Sequence, residues 1–270
     1  MNPVKRLVVG TVLEEPFRQI YRHLTGASDQ PPITEWELRD ARDNAYVRAL
    51  LRSRLEAQSN CIDVGAHSGF FLRQFLEFAP SGSHYAFEPI PSMVTKLRQE
   101  FPTVVIHDCA LSDRDGRATF QYVPELPGWS GLRPQPYPVK VKPQSIEVTL
   151  RRLDDVVPAD KSTAFIKIDV EGAELEVLRG AQGLLRRCQP VVYFECGQIH
   201  HAHYQTTPQQ VFDLFIACGM GVFLLDQTPL KKDEFVAIYE ASHNHGYDRT
   251  AWGNYLAMPA IPARPKEHGA

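Results

Sequence analysis

No stretch of this 270-residue sequence carries the ~20 consecutive apolar residues that a membrane-spanning helix requires. Missing too are a CxxC pair, the G-x-G-x-x-G dinucleotide fingerprint and any excess of positive charge, since 29 Lys and Arg stand against 32 Asp and Glu for a formal net charge of −3. A chain so balanced lacks the broad basic field with which nucleic-acid binders hold a polyanion. A small or neutral partner is therefore expected, and no nucleic acid. The five cysteines (Cys61, Cys109, Cys188, Cys196, Cys218) are scattered and odd in number, as suits buried thiols in a reducing, cytoplasmic setting. Lys5 and Arg6 precede "LVVGTVL", but that run is short and Glu14 and Glu15 follow it, so no secretory leader is expected.

What is present is enough apolar material, 43% of the residues, for a full core. Residues 1–56 read as an N-terminal helical cap, on which Val47, Leu50, Leu51 and Leu55 recur at helical spacing. Residues 57–260 form the main domain, and 261–270 read as a tail. The main domain alternates short β-rich runs ("CIDVG", "HYAFE", "TVVIH", "AFIKIDV", "VVYFEC", "GVFLLD") with amphipathic helical segments. That rhythm implies an α/β fold with a mainly parallel sheet covered on both faces. Thr207-Pro208-Gln209-Gln210 announces a capped helix with Val211, Leu214, Phe215 and Cys218 on one face, and Gly219 ends it. Residues 111–160 break the rhythm. There "ATFQYV" and "SIEVTL" read as an antiparallel hairpin added to the sheet, and the loop over 124–143 is long enough for a lid or binding element.

The stretch "CIDVGAHSGFF" is a strand-to-helix turn whose glycines, Gly65 and Gly69, let backbone amides approach a ligand. Ala66, His67 and Ser68 lie between them. Asp63 just before the turn would repel a pyrophosphate but suits a cationic ligand, which points to S-adenosylmethionine and its sulfonium and ammonium groups. Glu88, at the end of the next strand, is placed to accept the ribose hydroxyls. Asp108 is placed for the adenine amino group, with Cys109, Ala110 and Leu111 packing around the ring.

Seven stretches in order, "IDVGAHSGFF", "FEPIP", "CALSDRDG", "VTLRRLDDVV", "FIKIDVEGAELEVLRGA", "VVYFEC" and "GNYLAMP", resemble the FkbM-type family of S-adenosylmethionine-dependent methyltransferases over about residues 59–258. The resemblance implies a Rossmann-like sheet of seven strands, mainly parallel, with the last strand, here "GNYLAMP", inserted antiparallel. It also implies methyl transfer, usually to a hydroxyl on a sugar, lipid or natural-product scaffold. His67 stands where many methyltransferases keep a glycine.

Ligands on open α/β sheets bind outside the carboxyl ends of the strands, where Asp169, Glu171 and Glu195 stand. Asp169 is expected to line the methionine and acceptor side, and Glu171 to orient the acceptor or act as its base. The three acids together can hold a hard divalent cation such as magnesium, although independent roles are favoured and no metal is assigned. His200, nearest the strand tip, is the histidine placed to act as a general base; His201, His203, His243 and His245 read as solvated loop residues. Trp129, Ser130 and Tyr137 in the long loop are candidates to cover a sugar-containing acceptor. The rival classes are a non-catalytic nucleoside-binding protein and an NAD-type oxidoreductase, the second opposed by the missing fingerprint. The N-terminal helix also offers a surface for a second copy of the chain, so a homodimer is allowed.

Overall fold

The computed structural model describes residues 35–135, 137, 139–197, 201, 203–241 and 253–259, with side chains from residue 41 onward. His200, His243, His245, residues 1–34 of the N-terminal cap and the 261–270 tail lie outside the described residues. The chain divides into two units at Ala45 and Tyr46, and the account below concerns the second.

Its centre is an eight-stranded sheet. In chain order the strands are β1 (Cys61–Val64), β2 (Tyr85–Phe87), β3 (Val105–His107), β7 (Phe165–Ile168), β8 (Val191–Glu195), β9 (Met220–Phe223), β10 (Pro229–Leu230) and β11 (Asn254–Pro259). They lie in the order β10-β9-β11-β8-β7-β1-β2-β3. Strands β3, β2, β1, β7 and β8 pair in parallel, while β11 inserts antiparallel between β8 and β9. This is the arrangement the family resemblance implies, extended by the two-residue β10. The order reverses between β1 and β7, which makes that point the topological switch where ligands of such sheets bind.

Side chains alternate across the sheet with period two and feed two cores. Ile62, Val64, Ile166, Ile168, Val192, Phe194, Tyr255 and Ala257 enter one of them. They pack there against α5 (Glu174–Arg179), α6 (Gln182–Cys188), α7 (Pro208–Ala217) and α8 (Lys232–Ala241). Cys61, Phe165, Val191, Tyr193, Leu256 and Met258 enter the other, with α2 (Phe70–Phe78), α3 (Pro91–Glu100) and Val47, Leu50 and Leu51 of α1 (Glu35–Arg54). The α7 capping box forms as its sequence dictates: Gln210 N–H donates to Thr207 Oγ1 and Thr207 N–H to Gln210 Oε1. Gly219 ends the helix at φ +79°.

The expected hairpin, β5 (Gly116–Tyr122) on β6 (Gln144–Arg151), is antiparallel over seven residue pairs, from Gly116–Leu150 to Tyr122–Gln144. It does not extend the main sheet. Together with β4 (Ala110–Leu111) it forms a separate three-stranded sheet, because β6 pairs in parallel with β4. Val148 and Leu150 bury there with Ile90, Ala110 and Phe120 while the alternate side chains face water. Asp154, in the short helix α4 (Leu153–Val156), accepts hydrogen bonds from Gly183 and Leu184 N–H and so caps the start of α6. Gly180 is required just before α6, since a Cβ there would lie 2.1 Å from Ser112 O. Among the described residues all five cysteines are free thiols, and no helix is long and apolar enough to cross a membrane.

Buried His84 ties the start of β1 to the end of α2. Its Nδ1 accepts from Cys61 N–H at 3.2 Å, and its Nε2 lies 2.9 Å from Ala79 O. The neutral Nε2–H tautomer satisfies both contacts. Burial pushes its pKa below 6.5, with the Ala79 bond opposing the shift. The folded state therefore takes up this proton at lower pH than the unfolded chain. The contribution to stability is full above pH 6.5 and is lost as pH falls through the depressed folded value. Urea midpoints measured from pH 7 down to roughly 5 are expected to fall, and less steeply in H84Q, whose amide cannot protonate. Identical profiles would remove His84 from the account.

Candidate active site

The switch point is built around an ion pair within the sheet. Asp63 of β1 and Lys167 of β7 are register partners in the parallel ladder. Both side chains are almost wholly buried, 1% and 6% exposed. Lys167 Nζ lies 3.5 Å from Asp63 Oδ1 and 3.7 Å from Asp169 Oδ2, and it donates to Val64 O (3.2 Å) and Gly65 O (2.6 Å). Burial works against its charge, but the carboxylates of Asp169, Asp63 and Glu88 outweigh that and raise its pKa. Burial raises that of Asp63, Lys167 opposing. Asp63 thus meets a cation supplied by the chain itself, not the open pocket imagined for a cationic ligand.

The loop above this pair is tightly constrained. Gly65 (φ +75°) passes so close to β7 that a Cβ would stand 2.0 Å from Asp169 O. Gly65 and Ala66 N–H both donate to Phe87 O, and His67 adopts φ 47°. Gly69, at φ +77°, precedes α2 against the Phe101 ring and offers no side-chain cap to the first turn. Glu88, 3% exposed, binds this loop to α3: Oε2 accepts from His67 N–H at 2.8 Å and Oε1 from Ile90 N–H at 2.9 Å. Each oxygen keeps a further lone pair. Beyond β3, Asp108 is exposed with Arg98 Nη2 at 3.6 Å, while Cys109 and Ala110 are buried.

On the other side of the switch, Asp169, Glu171 and Glu195 converge at the ends of β7 and β8, each offering an oxygen within 4.8 Å of the others. The turn that presents Glu171 is unusual, with Glu171 at φ 60° and Gly172 at φ 108°. The long loop docks on it. Gln135 Nε2 donates to Glu171 O, Gly131 packs beside the Glu171 side chain, and Arg133 stacks over Tyr204 at 5.9 Å. Trp129 lies in a one-turn 3-10 helix, half-buried. Ser130 is buried and accepts from Val123 N–H, which shapes the loop. Among the described residues, Tyr137 Oη and Gln135 Oε1 are buried without a hydrogen-bond partner.

With a glycine turn bound to Glu88 on one side of the switch and three acids on the other, residues 63–248 match the model of the methyltransferase FkbM domain. The chain belongs to the FkbM methyltransferase family. Curated relatives include "Methyltransferase 1" of Beauveria bassiana (strain ARSEF 2860), 29% identical over 44% of this chain and 57% of that protein. Methyltransferase sdnD of Sordaria araneosa is 32% identical over 44% and 59%. The 2-O-methyltransferase NoeI of Sinorhizobium fredii (strain NBRC 101917 / NGR234) is 30% identical over 47% and 58%. The alignments thus span under three fifths of these relatives' length. Among solved structures, methyltransferase FkbM of Methylobacillus flagellatus KT gives a TM-score of 0.45 at 16% identity, over 76% of this chain and 44% of that one. That likeness is too loose to carry residue roles across.

Three residues of this FkbM-family site escape a reading of the sequence for catalytic groups. Lys167 in "FIKID" occupies an interior strand position where apolar residues prevail, so its charge was itself the signal that a buried acid faced it. Glu174 ends "DVEGAE" and reads as a helix-start acid, but it is 1% exposed and bonds to His201, which is fully buried rather than solvated. His203, as expected of a solvated loop residue, is exposed.

Removing the Lys167 ammonium leaves Asp63 as a buried carboxylate without its counter-ion. K167M is expected to lower unfolding free energy by about 3–5 kcal/mol in urea titrations. Adding D63N removes the stranded charge and is expected to recover part of that loss. Wild-type stability in K167M would refute the pairing.

Proposed function

We propose that this protein is an S-adenosylmethionine-dependent O-methyltransferase acting on a hydroxyl of a sugar, glycolipid or natural-product scaffold. The carrying observation is the pairing, across one topological switch, of the Gly65–Gly69 turn with the cluster of Asp169, Glu171 and Glu195. Family membership and the printed name of the relative NoeI, a 2-O-methyltransferase, support the reading.

The residues fit such a cofactor. Gly65, Ala66, His67 and Gly69 present an uncapped helix start, and the spare lone pairs of Glu88 suit ribose hydroxyls. Asp108 is open to the adenine amino group, with Cys109 and Ala110 behind it. Asp63 and Lys167 form the floor that fixes the loop, and Asp169 stands at its edge. When bound, S-adenosylmethionine supplies a methyl group on a sulfonium, ready for in-line displacement. Glu171 would accept the proton of the acceptor hydroxyl as the hydroxyl oxygen takes the methyl carbon and the carbon–sulfur bond breaks to leave S-adenosylhomocysteine, and Glu195 would help orient that hydroxyl. His200, outside the described residues, stays a candidate second base. Trp129, Ser130 and Tyr137 belong to the loop that docks beside Glu171, and Tyr137 Oη, without a hydrogen-bond partner among the described residues, supports an acceptor-facing role.

The acid cluster also favours a second reading, in which the three carboxylates hold a hard divalent cation that binds the acceptor oxygen. Methyl transfer that survives exhaustive chelation assigns the base to Glu171, while loss restored by magnesium assigns the cation. For the cofactor, S-adenosylhomocysteine at a hundredfold excess over its Kd is expected to raise the melting temperature by about 5–10 °C, with NAD giving no shift. Stabilisation by NAD alone would overturn the proposal. Tritium transfer from labelled S-adenosylmethionine into fractionated small-molecule extracts then identifies the acceptor.

A further inference from the structure

Behind the three acids lies a buried polar chain that the proposed chemistry does not use. Glu174 Oε1 accepts from Val170 N–H (2.9 Å) and Gly172 N–H (3.2 Å), the two amides flanking Glu171. Its Oε2 lies 3.0 Å from His201 Nε2, and His201 Nδ1 lies 3.8 Å from Cys196 Sγ. Glu174, His201 and Cys196 are at most 1% exposed, and Cys196 directly follows Glu195. His201 is further fixed by its backbone N–H to Gly197 O and by the Tyr239 ring 5.8 Å away.

The protonation pattern follows from the partners. Burial opposes charge on Glu174, but the His201 bond, the His201 charge interaction and the Val170 N–H outweigh it and lower its pKa, so it is a carboxylate. A carboxylate needs Nε2–H from His201. Burial, with Glu174 and Glu195 nearby, keeps Cys196 a thiol, its Sγ in hydrogen-bond contact with His201 Nδ1.

We propose that Glu174, His201 and Cys196 form a positioning relay that sets the spacing of Asp169, Glu171 and Glu195 by joining the tip of β7 to the tip of β8. Glu174 holds the left-handed Glu171 turn by its two flanking amides, and His201 transmits that hold to the residue after Glu195. None of the three touches the acceptor; they act through the acids. The relay rests on the methyltransferase reading only for its kinetic consequence.

Two measurements on full-length H201L, H201Q and wild type test it. Amide hydrogen exchange in H201L is expected to speed up by about tenfold at 169–174 and 195–197 and nowhere else, with H201Q, which keeps a donor toward Glu174, close to wild type. With the acceptor found by tritium transfer, H201L is expected to lose about 100-fold in kcat, with little change in S-adenosylhomocysteine affinity, and H201Q to recover most of it. Unchanged exchange at 170–172, acceleration spread over all of β7 and β8, or a full kcat despite local acceleration would each overturn the relay. A wild-type protein that transfers no methyl group would overturn the functional proposal instead, and exchange would still decide the relay.

Discussion

The site depends on one ammonium group. Lys167 sits inside a parallel sheet, between Ile166 and Ile168 on its own strand, and can stay there only because Asp63 stands opposite it in register and two backbone carbonyls accept its hydrogen bonds. A buried pair of this kind adds little net stability compared with apolar packing, but it is intolerant of losing either member. What it provides is geometry. The carbonyls of Val64 and Gly65 are the last of β1 and the first of the turn, so the ammonium fixes where the strand ends and the loop begins.

That fixed point passes to both halves of the site. Toward the glycine turn, the loop held from below leaves Gly65 close against Asp169 O and presents His67 N–H to Glu88. Toward the acid side, Lys167 faces Asp169, the first carboxylate of the cluster. Asp63 and Asp169 are separated in sequence by the five strands β2 to β6 yet share one cation, which ties the glycine turn and the acid cluster to the same strand interior.

The sheet was largely legible because its evidence is redundant. Six apolar runs and the helix signals between them each point to the same mainly parallel α/β sheet, and the family resemblance adds the antiparallel "GNYLAMP", so an error in one is corrected by the rest. The hairpin was legible as a hairpin from the alternation of Ile146, Val148 and Leu150, but not as a separate sheet, since its partner β4 is only two residues long and carries no periodicity. For the site, residue type was readable and partnership was not. Asp63 looked like a carboxylate awaiting a ligand because its partner lies 104 positions later in the chain, and His201 looked solvated because "GQIHHAHY" reads as a polar loop. Motif residues divide the same way. Asp154 of "LDD" and Gly180 of "LRGA" serve helix capping and close packing, so their place in a family signature reflects scaffold and not chemistry.

Three carboxylates with oxygens within 4.8 Å of one another repel, and nothing in a flexible loop would keep them so. Here the repulsion is resisted from several directions: Gly65 abuts Asp169 O, Glu174 gathers the amides around Glu171, Gln135 binds the Glu171 carbonyl, and β11 pairs with β8 beside Glu195. A cluster of like charges held at fixed spacing gains most from whatever positive species enters it, which under the proposed reading is the proton leaving an acceptor hydroxyl or a hard cation bound to that oxygen. On that reading the rigidity that keeps the acids together does the preparatory work, and an acceptor hydroxyl need only enter a field already in place.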